Sequence, residues 1–222
     1  MRPSNSYHFL LGSLPAMPRH FDVDRVPITQ PRLKKRLELL RPEDAEVLER
    51  LKAFLIWDRQ PWDRTDEEVI SHYDQLMSSM RNRLGRHIVA FQMDIRTIMS
   101  GLRRRRRGLP PPPGVGQWVD HIRKNWEHPE FRLQWEHPWI APMSRLLDTT
   151  DCLEAQRIKL SVTWNHWTKL AEQYFFSFEA VLLYLVRWEI INRWTSRDAA
   201  LGRERFEQLV TESLDEHANL YE

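Results

Sequence analysis

The sequence has little of the two residue types on which many phosphate and redox sites depend, glycine and cysteine. Only seven of its 222 residues are glycine, and neither G-x-G-x-x-G nor G-x-x-x-x-G-K-[ST] occurs. Those patterns let a backbone approach phosphate closely, so their absence argues against a dinucleotide fold and a phosphate-binding loop. The single cysteine, Cys152, excludes an internal disulfide. With no catalytic motif around it, we expect Cys152 to be a buried packing residue.

Long apolar stretches are also lacking. The longest unbroken one covers residues 180–186, far below the ~20 residues that a membrane-spanning helix needs. The apolar part of the N-terminal segment is interrupted by His8, Gly12 and Pro15, so it makes a poor secretion signal. We therefore expect a protein that does not insert into the bilayer by itself.

Charge is nearly balanced overall but unevenly distributed. The net charge is +2, yet residues 1–111 carry 21 Lys and Arg against 14 Asp and Glu, and residues 112–222 carry 12 against 17. A basic half followed by an acidic half favours an oriented assembly partner over a uniform binder of nucleic acid.

Almost every periodic signal along the chain is helical. The sequence predicts an all-α protein, a bundle of about seven to eight helices with a proline-rich connector in mid-chain. The only candidate strand covers residues 7–11. Two rows of apolar residues have the spacing of a packed helix seam. The first row is Leu84, Ile88, Phe91, Ile95, Ile98 and Leu102, and the second is Leu160, Trp164, Trp167, Ala171 and Tyr174.

Several boundaries between helices have recognisable signals. Thr65 and Glu68 form a capping-box pattern. Ser177 precedes a helix that is apolar nearly all round and should be central and buried. Ser196 is predicted to cap a last helix, and residues 58–64 are predicted to be a linker. The apolar residues expected to face inward from the last helix are Leu201, Phe206, Leu209, Val210 and Leu214.

The segment GLPPPPGVG at residues 108–116 interrupts the helical pattern. A proline run favours polyproline II and cannot lie inside a helix, so this segment is a stiff connector or a ligand for a partner. We predict a single helical domain over residues 1–222. The alternative is a subdivision into a basic helical half at 1–107, the linker at 108–116 and an acidic helical half at 117–222.

The tetrapeptide Trp-Glu-His-Pro occurs twice, at residues 126–129 and 135–138. A zinc site needs three or four converging ligands. The candidates here are His121, His128, His137, Glu127 and Glu136. A proline follows both repeat histidines and biases them to extended backbone, and no helical metal-binding spacing is present. We therefore favour a proline-bounded turn with tryptophan anchors packed on the bundle, and keep a metalloenzyme as an alternative.

Five consecutive arginines follow the first apolar row: Arg103, Arg104, Arg105, Arg106 and Arg107. Cations at the carboxyl end of a helix complement its dipole. The run could also hold phosphate, RNA or anionic lipid. Because no RNA-binding motif accompanies it and the net charge is small, we favour a solvated helix end or a docking surface for an acidic protein.

Charged residues interrupt the apolar C-terminal helix at Arg187, Glu189 and Arg193. A buried carboxylate needs a partner, which for Glu189 is either Arg193 at the i,i+4 spacing or a group on a neighbouring helix. We assign structural roles to Glu189 and Arg193 and expect the loss of Glu189 to cost about 3–5 kcal/mol if its partner is left buried. The tryptophans assigned structural roles are Trp164, Trp167, Trp188 and Trp194. We propose no catalytic, cofactor-binding or metal-binding residue.

Two stretches resemble the C-type subunit of the V/A-type ATPases, the counterpart of the eukaryotic d-type subunit. The stretch FFSFEAVLLYLVRWEIINRW is similar to its C-terminal helices, and IVAFQMDIRTIMSGLRRRRRG to a second helix with a basic end. The matching residues are Tyr184, Leu185, Glu189 and Ile190 in the first stretch, and Asp94, Ile98, Met99 and Gly108 in the second.

A closer resemblance is to a shorter, poorly characterised bacterial family encoded beside V/A-type ATPase subunits. Its motifs resemble Tyr7-His8-Phe9 before Ser13-Leu14-Pro15, and Glu130-Phe131-Arg132-Leu133 near mid-chain. Its C-terminal series resembles Trp164, Trp167, Phe175, Phe176, Glu189, Ile191, Arg193 and Trp194. The proline run and the doubled tetrapeptide depart from this pattern.

These resemblances imply a non-catalytic subunit or assembly factor of a V/A-type ATPase. The C-type subunit is a helical adaptor between the central stalk and the membrane ring, without nucleotide or other cofactor. The expected partners are stalk and ring subunits, and the expected location is cytoplasmic, peripheral on the inner face of a bacterial membrane. The alternatives are an anion- or RNA-binding helical module that uses Arg103 to Arg107, the metalloenzyme, and a helical chaperone.

Overall fold

The computed structural model describes residues 5–56, 65–147, 149 and 151–196. The predicted linker at 58–64 and the predicted last helix after Ser196, with Leu201, Phe206, Leu209, Val210 and Leu214, lie outside these residues.

All regular structure in the described part of the chain is helical, which confirms the all-α prediction. Eight helices are α1 (Asn5–Gly12), α2 (Gln30–Leu37), α3 (Pro42–Leu55), α4 (Asp66–Ser79), α5 (Arg83–Arg106), α6 (Val119–Lys124), α7 (Ile140–Leu146) and α8 (Cys152–Ala171). A ninth, α9, occupies residues 178–196. The candidate strand at 7–11 was wrong, because these residues lie within α1.

Side chains cap four of the described helices where the sequence provides an oxygen, and at α8 the cap is Asp151 Oδ1, which accepts from Glu154 N at 3.0 Å. The capping box of α4 is confirmed: Glu68 N donates to Thr65 Oγ1 at 3.2 Å, and Thr65 N donates to Glu68 Oε2 at 3.0 Å. Asn82 Oδ1 accepts from Gly85 N at 2.7 Å at the start of α5. Ser177 Oγ accepts from Ala180 N at 3.3 Å and so caps α9 as predicted. Each cap satisfies an amide that has no partner within its own helix.

The chain forms two compact units. The terminal unit contains the described residues of Met1–Leu39 and Thr163–Glu222, and the mid-chain unit is Leu40–Val162. The connector at 108–116, where the sequence suggested a subdivision, lies inside the mid-chain unit.

The core of the mid-chain unit is built on the first predicted apolar row. Ile95, Ile98 and Leu102 of α5 are buried in it, and Ile98 is fully inaccessible. The other buried members of this core are Met99, Ile122, Phe131, Leu133, Trp139, Ile140 and Met143. Ala155, Ile158 and Val162 of α8 pack against its edge at helical spacing. A row spaced by three and four residues therefore does form the buried face of a long helix.

The core of the terminal unit joins an early segment of the chain to α9. Ile28 and Leu33 pack with Tyr184 and Trp188. The indole Nε1 of Trp188 donates to the carbonyl of Ile28 at 2.8 Å, so this buried tryptophan has a polar partner as well as apolar contacts. Trp164 and Trp167 are also buried in this unit. Phe21 packs on Trp164 and meets Trp194 edge-on at 5.4 Å.

None of the helices in the described part of the chain combines the length and the apolar character required to cross a bilayer.

The pair of Glu189 and Arg193 is present, but it is not buried. Arg193 Nε donates to Glu189 Oε1 at 2.9 Å, across one turn of α9 as expected. The side chains of Glu189 and Arg193 are 39% and 45% exposed. Water already solvates both groups, so the large cost expected for an unpaired buried charge does not apply.

We predict that Glu189→Ala lowers the free energy of unfolding by less than about 1 kcal/mol, the usual contribution of an exposed ion pair. Chemical denaturation at low and high salt measures this, and the small loss should shrink as salt screens the pair. A loss of about 3 kcal/mol or more would show that Glu189 acts as a buried charge.

Candidate functional site

The C-terminal half of α5 presents three different faces. A helix turns by about 100° per residue, which places the apolar row on one side. A second face carries polar or small residues that contact the chain that follows, and they are Asp94, Thr97, Gly101, Arg104 and Arg105. A third face carries Arg103 and Arg107, which are exposed. The candidate site is this arginine end of α5, together with the irregular segment that it holds.

Helix α5 ends in a left-handed glycine cap. Gly108 has φ 66°, which suits glycine because it has no Cβ. Gly108 N donates to the Arg105 carbonyl at 3.0 Å, and Leu109 N donates to the Arg104 carbonyl at 2.9 Å. This pair of bonds is the Schellman motif, which turns the chain back on itself. The arginine end of the helix is therefore fixed by its own backbone.

Arg104 and Arg105 are bound to carbonyls of their own chain. Arg104 Nε donates to the Pro110 carbonyl at 2.8 Å. Arg105 reaches into the first Trp-Glu-His-Pro copy, where it donates from Nη2 to the Glu127 carbonyl at 2.8 Å and from Nε to the His128 carbonyl at 3.4 Å. Hydrogen bonds from a charged donor are stronger than neutral ones. These two arginines therefore hold the connector and the first copy against α5.

The end of the connector is docked about two to three turns earlier on the same face. Asp94 Oδ1 accepts from Gln117 N at 2.9 Å, and Thr97 Oγ1 donates to the Val115 carbonyl at 2.8 Å. The approach is too close for a side chain, since a Cβ on Gly116 would lie 2.1 Å from Asp94 Oδ1 and one on Gly114 would lie 2.6 Å from Thr97 Oγ1. The proline-rich segment is thus bonded to α5 at both ends.

Gly116 is expected to tolerate no larger residue, because its φ of 105° is unfavourable for any side chain and a Cβ would overlap Asp94. We predict that Gly116→Ala lowers the free energy of unfolding by about 2 kcal/mol or more. Thermal and chemical denaturation measure the loss. The matched control is Gly12→Ala, where a Cβ meets nothing within 4 Å. An equal effect of both substitutions would contradict the tight docking of the connector.

Burial changes the acidity of Asp94. Burial raises the pKa of its carboxyl from 3.8 to about 6, although hydrogen bonds from Gln117 and from Trp118 N oppose this rise. Burial also raises the pKa of Tyr73 on α4, and the charge of Asp94 adds to that rise. The ionised carboxylate is therefore costly in the folded protein at neutral pH.

The raised pKa of Asp94 makes the stability of the folded protein depend on pH. A folded-state pKa above the ordinary value means that the contribution of Asp94 to stability is full below about pH 4 and is lost as the pH rises through 6. We predict that Asp94→Asn, which keeps an acceptor oxygen but cannot ionise, removes this loss, on the order of 2 kcal/mol. Denaturation curves between pH 4 and 7 for both proteins measure it. Parallel pH profiles would contradict the prediction.

The two Trp-Glu-His-Pro copies have different environments. Trp126 stacks on Phe131 with ring centroids 5.4 Å apart, and Phe131 packs against Gly101 of α5. Trp135, in the second copy, is 87% exposed. The prediction of tryptophan anchors is therefore right for the first copy and wrong for the second. Phe131 and Arg132 between the copies have left-handed φ angles of 53° and 57°, which form the turn.

The histidines of this region contact protein groups. His121 Nε2 lies 2.9 Å from the Phe131 carbonyl, and the His137 ring meets the Trp118 ring edge-on at 5.1 Å. Burial lowers the pKa of His137. Over residues 5–56, 65–147, 149 and 151–196, no three His, Cys, Asp or Glu side chains come together as a metal site would require.

Cys152 was expected to be buried but is exposed.

The five arginines thus divide into two groups. Arg104 and Arg105 are half-buried and bonded to carbonyls, whereas Arg103, Arg106 and Arg107 are exposed. The sequence indicated a basic helix end but not this division. It also gave no functional role to Thr97, Gly114 and Gly116. The sequence did contain a signal for this docking. Asp94 and Thr97 are polar residues on one face of α5, and Gly114 and Gly116 allow the following chain to approach that face closely.

The chain belongs to the DUF2764 family, since the family model described as "Protein of unknown function (DUF2764)" matches residues 8–217. No curated protein and no solved structure matches the chain.

Proposed function

We propose that this DUF2764 protein is a non-catalytic subunit or assembly factor of a V/A-type ion-translocating ATPase. It acts at the inner face of a bacterial membrane as a helical adaptor between the central stalk and the membrane ring. The observation that carries the proposal is the arginine end of α5, a charged surface held in place by a glycine cap and by Arg104 and Arg105. An adaptor must keep its partners in fixed register, and rigid contact groups favour this.

The residues that resemble the ATPase adaptor support the proposal through their positions. Tyr184 and Ile190 lie in the buried part of α9, so that part of the motif builds the fold. Phe175 and Phe176, just before α9, are 73% and 53% exposed. The Phe176 ring stacks on His8 at 4.2 Å. Exposed aromatic groups are typical of protein interfaces, so this second surface suits a second partner.

The direct test is recovery of the ATPase by the tagged protein from detergent-solubilised membranes of the source bacterium. We expect stalk or ring subunits to copurify. Deletion of the gene should leave ATP hydrolysis by the soluble catalytic head intact and reduce ATP-driven ion transport in membrane vesicles. Recovery of no ATPase component, together with unchanged transport in the deletion strain, would exclude the adaptor function.

A second candidate function, binding of RNA or another polyanion, is favoured by the exposure of Arg103, Arg106 and Arg107. Six to ten phosphate contacts would give a steep salt dependence, whereas three exposed arginines predict a shallow one. Retention on heparin that disappears when these three arginines are replaced by serine, with nucleic acid copurifying from the cell, would favour this function over the adaptor.

A further inference from the structure

Arg103, in the last turn of α5, and Arg107, the residue that caps its carboxyl end, lie on one side of the helix end. Arg107 follows Arg103 by four positions, so their Cβ atoms lie one helical turn apart on the same side, about 6 Å from each other. Both are exposed. Arg104 and Arg105 instead reach the chain that follows, where they bind the Pro110, Glu127 and His128 carbonyls. The run therefore presents a defined pair of guanidinium groups and not a uniform basic tail.

The negative end of α5 accounts for only part of this positive charge. A helix dipole is equivalent to about half an elementary charge at the carboxyl end. The Schellman bonds of Gly108 and Leu109 already satisfy two of the last carbonyls. Five arginines greatly exceed that requirement, and Arg104 and Arg105 are bound to the connector and the first Trp-Glu-His-Pro copy. The charge of Arg103 and Arg107 is thus available to an anionic partner.

Exposed apolar residues follow these two arginines closely in the chain. Leu109 directly follows the glycine cap and is 42% exposed, and Pro110 after it is exposed. Guanidinium groups next to apolar side chains are typical of protein interfaces. A phosphate backbone offers negative charge but no aliphatic group to cover Leu109. This combination favours a protein segment as the occupant.

We propose that Arg103, Arg107 and Leu109 form a docking surface for an acidic amphipathic segment of a partner protein, with carboxylates one helical turn apart. The inference rests on the proposed function, because the ATPase component that meets the adaptor would supply this segment. Arg104 and Arg105 are positioning residues that hold the surface. The fixed helix end reduces the entropy lost on binding, and two guanidinium groups can each bind a carboxylate through two hydrogen bonds.

The test compares two labelled synthetic peptides by fluorescence anisotropy. One is an amphipathic peptide with leucines on one face and glutamates spaced four residues apart, and the other has glutamine in place of every glutamate. We expect wild-type protein to bind the glutamate peptide at least tenfold more tightly than the glutamine peptide at low salt. In Arg103→Glu/Arg107→Glu this preference should disappear, and in wild type it should weaken with added salt.

The matched control is Arg83→Glu/Arg86→Glu, which reverses the same number of charges at the other end of α5 and should change peptide binding less than twofold. Melting temperatures of all variants identify any loss of folding. Arg104→Met/Arg105→Met should lower the melting temperature, unlike Arg103→Met/Arg107→Met. If Arg103→Glu/Arg107→Glu does not fold, Arg103→Met/Arg107→Met replaces it in the peptide-binding measurement.

Three results would overturn the inference. One is equal peptide binding by wild type and Arg103→Met/Arg107→Met. Another is that the control Arg83→Glu/Arg86→Glu loses as much affinity for the glutamate peptide as Arg103→Glu/Arg107→Glu does. The third is tighter binding of an RNA oligonucleotide, or of phosphatidylglycerol vesicles, than of the glutamate peptide, with loss in the surface variant, since this would assign the surface to phosphate groups.

The proposed function is tested separately, by the recovery of ATPase subunits with the wild-type protein. If those subunits are recovered equally well by the Arg103 and Arg107 variant, the docking surface is wrong and the adaptor function stands. If no ATPase component is recovered but the protein still binds the glutamate peptide more tightly than the glutamine peptide, the docking surface stands and the adaptor function is wrong.

Discussion

The mid-chain unit depends on hydrogen bonds from one side of α5 to an irregular segment of the chain. The backbone between Gly108 and the start of α7 has little regular structure, so many of its amide and carbonyl groups must find partners outside a helix. Asp94 and Thr97 provide partners near Gln117 and Val115. Arg104 and Arg105 provide them at Pro110, Glu127 and His128. The same helix thus supplies the apolar core on one face and the polar attachment on another.

This constraint explains why the arginine run is suited to a contact surface. A basic helix end that frayed would present mobile charges and would lose entropy on binding. Here the glycine cap and the bonds of Arg104 and Arg105 hold the last turn in place, so the backbone that carries Arg103 and Arg107 is fixed. The charges that stabilise the fold and the charges available to a partner are adjacent in sequence but lie on different sides of the helix.

The helices were largely predictable from the sequence, because their signals are local. The spacing of Leu84 to Leu102, the capping box at Thr65 and the serine before α9 each depend on neighbours within one or two turns, and all three are present. The error at residues 7–11 has a similar origin, since a short aromatic stretch fits either a strand or a buried helix.

The candidate site was less predictable, because its contacts join residues far apart in the chain. The two Trp-Glu-His-Pro copies are identical in sequence, yet only Trp126 stacks on Phe131 near α5, while Trp135 is exposed. Glu189 was expected to be buried because its helix is apolar, but its own position on that helix faces solvent. Nothing local to the arginine run shows that Arg105 reaches the carbonyls of residues 127 and 128.

The central claim is that side chains of α5 hold the segment from the connector to the first Trp-Glu-His-Pro copy. Hydrogen–deuterium exchange of wild type and Arg105→Met, measured peptide by peptide, tests it most directly. The account predicts faster exchange of amides within residues 109–133 in the variant, and unchanged exchange in α9 of the terminal unit. Unchanged exchange in 109–133, or equal acceleration throughout the protein, would contradict the claim.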